Sequence, residues 1–149
     1  SNNYKNYKYL KNRYFENPFL DYEIWLLKTS INNSILVARR INYLDRSLLK
    51  IVDFIGSKKD IIQFVGKLQT NMLKNSEYIE FRSFGLEDQL KSAGFIDLTE
   101  DKNIIIPAYH DPFVFKNKTI HWSLKEFKEG GYLVTGDCDQ DRPNSINRK

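Results

Sequence analysis

The stretch Ser47–Leu68, SLLKIVDFIGSKKDIIQFVGKL, changes period halfway along, and that change decides the fold. From Ser47 to Gly56 it is apolar almost throughout, the pattern of a strand covered on both faces of a sheet. From Asp60 to Lys74, Ile61, Phe64, Val65, Leu68 and Met72 recur at i, i+3, i+4, i+7 and i+11, which predicts an amphipathic helix. Ser57 or Asp60 can cap its start. The next run, EYIEFRSF at Glu77–Phe84, alternates with Tyr78, Glu80, Arg82 and Phe84 on one face. A right-handed parallel crossover requires a helix flanked by two such strands, and this order is read as one.

Working outward, YEIWLLK (Tyr22–Lys28) and SILVARRI (Ser34–Ile41) are β-rich runs on either side of TSINN, and read as an antiparallel hairpin. Tyr4–Phe15 has Tyr7, Leu10 and Tyr14 at helical spacing and predicts a short helix ending before Asn17-Pro18. LEDQLKSAGF (Leu86–Phe95) predicts a second short helix, stopped by Gly94. Ile104–Ile106, Phe113–Phe115, Thr119–Leu124 and Tyr132–Gly136 read as strands and turns. The expected architecture is one α/β (α+β) domain over residues 1–149. Its mixed sheet has an antiparallel hairpin and one parallel strand pair, with helices on its faces.

Composition narrows the function. A chain with 41% hydrophobic residues, 9 Tyr and 10 Phe is globular rather than disordered. The net charge is +4, concentrated in the first third. That basic end invites an anionic ligand or forms a solvated surface, but no Lys/Arg stripe marks a nucleic-acid interface. The single cysteine, Cys138, excludes an internal disulfide and a four-cysteine zinc site, and fits a reducing cytoplasm. No apolar run approaches a membrane span and no signal-peptide pattern opens the chain, so a cytoplasmic location is expected. The wealth of Asn, Ile and Lys suggests an AT-rich bacterial source.

The element order, with KSAGF closing the second helix, resembles the core of the GNAT N-acetyltransferase fold. More narrowly, RYFENPF, IVDFIG, AYHDPFV and GDCDQDRPN together look like GNAT-like proteins encoded in bacterial surface-polysaccharide clusters. The resemblance covers most of residues 13–144. It implies an acyltransferase that moves an acyl group from acetyl-CoA or another acyl-CoA to an amino group, for example of a sugar nucleotide. It places the acyl-CoA pyrophosphate at Gly56, Ser57, Lys58 and Lys59. The family's glycine-richer loop is reduced here to one glycine, and Asp60 would repel a phosphate if it pointed inward. The position of the family's frequent acid tyrosine, four residues before Gly94-Phe95, is Leu90. These departures leave an alternative: a catalytically degenerate GNAT-like binding or accessory module that recognises a sugar or protein partner. The short or missing first helices further imply the C-terminal portion of a longer protein, with an N-terminal domain or homodimer partner.

Acyl transfer to an amine needs a base, an acid and an oxyanion donor. Asp53, near the end of an apolar strand, is the best-placed acid or base, or else pairs with an arginine or caps the strand end. Glu80 and Arg82, at i and i+2, reach a cleft beside it or form an ion pair on an exposed face. Tyr109 and His110, in Tyr109-His110-Asp111-Pro112, offer a replacement acid and a group that titrates near neutrality, or simply lie on the surface. Arg13 can grip a carboxylate or phosphate, or clamp helix to sheet.

In GDCDQDRPN (Gly136–Asn144), Asp137, Asp139 and Asp141 have the spacing that opens a calcium loop. Arg142 and Arg148 then stand where Gly and Glu are required, and no metal is expected. The two histidines, His110 and His121, lack carboxylates at ligand spacing and do not make a zinc site. The tract is expected to continue extended from the last strand, with Asp137 and Asp139 facing the cleft as substrate-binding groups.

Overall fold

The computed structural model describes residues 5–28, 32–71, 76–100, 103–106, 116–117, 123 and 129–137. The chain opens with α1 (Tyr7–Leu10) and a π-helical turn (Lys11–Phe15). Strands β1 (Glu23–Lys28), β2 (Asn33–Tyr43) and β3 (Arg46–Ile55) follow, then α2 (Asp60–Asn71). After α2 come β4 (Ile79–Phe81), β5 (Ser83–Phe84), α3 (Glu87–Ser92), β6 (Leu133–Val134) and a 3₁₀ turn (Thr135–Asp137).

The four-stranded sheet runs β1-β2-β3-β4, with β1–β2 and β2–β3 antiparallel and β3–β4 parallel across α2. The mixed sheet, its hairpin and its parallel pair are therefore as the period change implied. Strand β3 is interior, and seven consecutive residues, Leu48 to Phe54, are buried because both faces of the sheet are covered. On one face, Ile61, Phe64 and Val65 of α2 and Leu90 of α3 pack on Leu36, Ala38, Leu49, Ile51 and Phe54. Each of the larger side chains contributes about 1.5–3 kcal/mol by leaving water, and Ala38 less. On the other face, Leu10 and Tyr14 pack on Val37 and Val52. Gly94 ends α3 at φ 89°, the left-handed geometry its position required.

A bulge in β3 aims the central acid. Val37 of β2 pairs with Asp53 and Ala38 with Ile51, so Val52 is an extra residue opposite β2. Strict alternation would send Val52 and Asp53 to opposite faces. The bulge turns both toward the N-terminal helix, where Val52 packs on Tyr14 and Asp53 accepts the Tyr14 hydroxyl.

Three local expectations are corrected. EYIEFRSF is not one strand. It breaks at Arg82, with β4 staying beside β3 and β5 leaving to pair with β6 in a second, two-stranded sheet. Ile104–Ile106 is not a strand. The Asn117 side chain takes the place of a neighbouring strand, donating to Ile104 O at 2.6 Å and accepting from Ile106 N at 2.8 Å. The final run is strand only at Leu133–Val134. Asp137 Oδ2 accepts from Val134 N at 2.8 Å and curls Thr135–Asp137 into the 3₁₀ turn, so Asp137 does not continue an extended strand. The runs at Phe113–Phe115 and Thr119–Leu124 lie outside the described residues, Ser123 excepted. Among the described residues no helix is long and apolar enough to cross a membrane.

Candidate functional site

Asp53 has zero exposure and four donors. Lys5 Nζ lies 2.5 Å from Oδ1, which also accepts from Phe54 N at 2.8 Å. Oδ2 accepts from Tyr14 OH at 2.7 Å and from Tyr9 OH at 3.1 Å. A carboxylate has about four lone-pair sites, and these four contacts fill them. The cation on Asp53 is a lysine rather than the arginine expected as its structural alternative. Lys5 is itself fully buried at its side chain and also bridges to Asp137 Oδ1 at 2.7 Å.

The π turn makes this arrangement possible. Tyr9 and Tyr14 are five residues apart, and an ordinary α-helix would rotate them onto different faces. The wider turn, marked by Glu16 N donating to Lys11 O at 2.9 Å, returns residues five apart to one side. Their hydroxyls come within 3.4 Å of each other, both on Asp53 Oδ2. Burial, reinforced by the Asp53 charge, raises both phenols far above the usual tyrosine range, so both remain protonated donors. Arg13 lies with its guanidinium 5.9 Å from the centroids of both rings. Both contacts lie within its own helical segment.

The 3₁₀ turn closes the site from the other end of the chain. Gly136 O lies 3.1 Å from Tyr9 OH, whose one proton goes either to it or to Asp53 at a time, and a Cβ on Gly136 would stand 2.6 Å from Asp53 Cγ, Asp53 Oδ2 and Tyr14 OH. Only glycine fits there. Of the predicted residues, the fold thus gathers Asp53, Asp137 and Arg13 around Lys5, Tyr9 and Tyr14.

Beside this network is a wedge. Strands β3 and β4 pair only from Leu49–Ile79 to Ile51–Phe81 and then part. Tyr132 fills the gap: its hydroxyl accepts from Gly56 N at 3.2 Å and lies 3.3 Å from Phe54 O and 3.2 Å from Gly56 O. With one proton, it donates to one of these carbonyls at a time. Its ring packs on Phe54 at 5.6 Å, and burial, aided by Asp53 and Asp137, pushes its pKa up to about 12.

The predicted pyrophosphate loop adjoins the wedge. Lys58 Nζ donates to Gly85 O at 2.7 Å. At the start of α2, Asp60 is buried with its carboxylate bonded to Ser34 Oγ, and Asp60 N donates to Ser57 O at 2.9 Å. The first turn of α2 therefore carries a carboxylate of the chain itself, near the positive end of the helix dipole.

A second polar group crosses the sheet. Arg39 pairs in register with Lys50, and Lys50 with Glu80, so three adjacent strands each present a charge at one level, all buried. Arg82 pairs with Glu80 Oε1 as the i, i+2 spacing suggested, although Glu80 is buried rather than on an exposed face. Glu80 Oε2 and the Tyr78 hydroxyl are buried without a hydrogen-bond partner among the described residues. Burial first, then Glu80 and Glu77, pushes the Tyr78 phenol up to about 12.

Tyr109, His110 and Asp139 lie outside the described residues. Among the described residues no group of three or more His, Cys, Asp or Glu side chains is arranged to hold a metal ion. Lys5, Tyr9, Tyr14 and Tyr132 did not emerge from the sequence as site residues. Lys5 sits in a polar opening with nothing to distinguish it. Lys50 did carry a signal, as a charge inside the apolar run LLKIV.

Searches against protein-family models, curated proteins and solved structures find no match for this chain.

Proposed function

We propose that this domain is a GNAT-like recognition module, which binds a sugar or a protein partner and leaves acyl transfer to another catalyst. One observation carries this reading: the groups that would greet an acyl-CoA are engaged by the chain itself. Tyr132 takes the backbone of Phe54 and Gly56, and Asp60 puts a negative charge in the first turn of α2. A bound cofactor would have to displace the first and neutralise the second. Asp53, buried and saturated, acts as a hub joining the N-terminal helix, β3 and the final turn rather than as a proton carrier.

A second reading, acyl transfer to an amine, is favoured by the parting of β3 from β4 and by Glu80. That carboxylate keeps one oxygen unbonded beside a protonated Tyr78, and a carboxylate with a phenol can serve as base and acid. In this reading acyl-CoA enters the wedge past Tyr132, toward Gly56–Lys59.

Thiol release from acetyl-CoA in the presence of amino sugars separates the two readings. The recognition module gives the uncatalysed rate. Release well above background that is lost in Glu80→Gln overturns the first reading in favour of the second.

A further inference from the structure

We propose that the hollow between the π turn and β1 binds a sugar-sized ligand carrying a protonated amine; this deepens, and rests on, the reading of the domain as a sugar-recognition module. The hollow has a volume of about 340 Å³, and its walls among the described residues include Tyr14, Phe15, Leu20 and Tyr22, with Asn17 and Asp21 as polar members. That volume lies at the small end of ligand pockets, which span roughly 300–1,000 Å³.

The polar groups are not equivalent. Asn17 is spent on its own turn: its amide donates to Arg13 O at 3.0 Å and accepts from Phe19 N and Leu20 N, each at 2.9 Å. The Tyr14 hydroxyl is spent on Asp53 at 2.7 Å. Asp21 is exposed and makes no hydrogen bond or ion pair among the described residues. The hollow therefore presents aromatic rings and one uncommitted negative charge. That combination attracts an ammonium group, by Coulomb attraction to Asp21 and by cation–π contact with the rings, and repels phosphates and carboxylates.

The walls are also held in place before any ligand arrives. Tyr14 is fixed by Asp53 and meets Tyr22 edge to face at 4.9 Å, while Asn17 locks the turn through Pro18. A preformed wall reduces the ordering cost of binding. Phe15, 60% exposed, stands at the lip as an apolar ring for a sugar face to cover. Arg13 already lies over the Tyr14 ring, so Asp21 and the exposed Phe15 ring are the groups that receive the amine.

The test is two-dimensional NMR titration of the ¹⁵N-labelled protein with glucosamine hydrochloride and, separately, with N-acetylglucosamine, which has the same ring without the charge. The site predicts amide shifts confined to residues 14–24, with glucosamine bound about tenfold more tightly than its acetylated form. Asp21→Asn, at an exposed position, should remove that preference, and Phe15→Ala should weaken both sugars. Equal affinities in the unaltered protein, or an Asp21→Asn variant that keeps the preference, would overturn the proposal. Shifts centred elsewhere would overturn this site and leave sugar recognition standing, whereas the absence of saturable binding by either sugar would overturn this site and leave only the protein-partner form of the recognition module.

Discussion

Lys5 Nζ lies between two carboxylates, 2.5 Å from Asp53 Oδ1 and 2.7 Å from Asp137 Oδ1, in a region that water does not reach. One cation thereby ties the start of the chain to its central strand and to the turn at Asp137. A buried pair adds little net stability over an apolar replacement, but removing one member leaves charge buried without compensation.

The two members of the pair should therefore differ in their effect. Lys5→Met strands both carboxylates together and should cost about 3–5 kcal/mol. Asp53→Asn leaves Lys5 still paired with Asp137 and should cost less. Urea unfolding of the two variants gives the order directly; equal losses would mean that Asp137 does not share the lysine.

The two tyrosines on Asp53 should also rank. Tyr14→Phe removes the shorter, more buried bond, and Tyr9→Phe the longer one at a half-buried ring. We expect the first to cost about 1–3 kcal/mol and the second about 1 kcal/mol or less, measured by the same unfolding titrations.

Gly136→Ala should be among the most damaging small changes in the chain. Its Cβ would meet Asp53 and Tyr14 at 2.6 Å, both fixed by the network. A loss of about 1–3 kcal/mol is expected. In contrast, Leu44, exposed at the β2–β3 turn with φ 54°, should give way to Asn or Gly with a gain of about 0.5–1 kcal/mol, since a branched residue is strained there. A thermal melt of each variant checks the two opposite signs.

Alkaline pH should weaken the fold in a defined window. Tyr78 and Tyr132 ionise near pH 12 in the folded chain and near 10 when unfolded. Between those values the unfolded state has lost protons that the native state still holds, so stability falls as pH rises from about 10 toward 12. Below about 10 these groups contribute no pH dependence. Ultraviolet titration checks the window: ionisation of Tyr78 and Tyr132 near pH 10 without unfolding would contradict their burial.

The parts of the fold legible in the sequence are those whose signal is local. SLLKIVDFIG announces a strand covered on both sides, and Ile61, Phe64 and Val65 announce the helix face that covers it. The parallel pairing of β3 with β4 follows from that order. The site was less legible because it is assembled from distant pieces. The bulge at Val52, which turns Asp53 toward Tyr14, has no signature in IVDF; it is fixed by pairing with β2. The π turn, which brings two tyrosines onto one carboxylate, has no local signature, and Tyr4–Phe15 alone reads as an ordinary helix. The break at Arg82 goes with the pairing of β5 to β6, which lies far along the chain. Asp53 itself was visible as an acid in an apolar strand, whereas its partner Lys5 was one lysine among several in SNNYKNYKYLKN.

Calorimetric titration of acetyl-CoA into the intact chain tests the central claim most directly. With Tyr132 on the β3 edge, Asp60 at the α2 N-terminus and Lys58 bonded to Gly85 O, no saturable binding is expected up to millimolar cofactor. Submillimolar binding that weakens in Lys58→Glu would contradict the account and restore the wedge as a cofactor site.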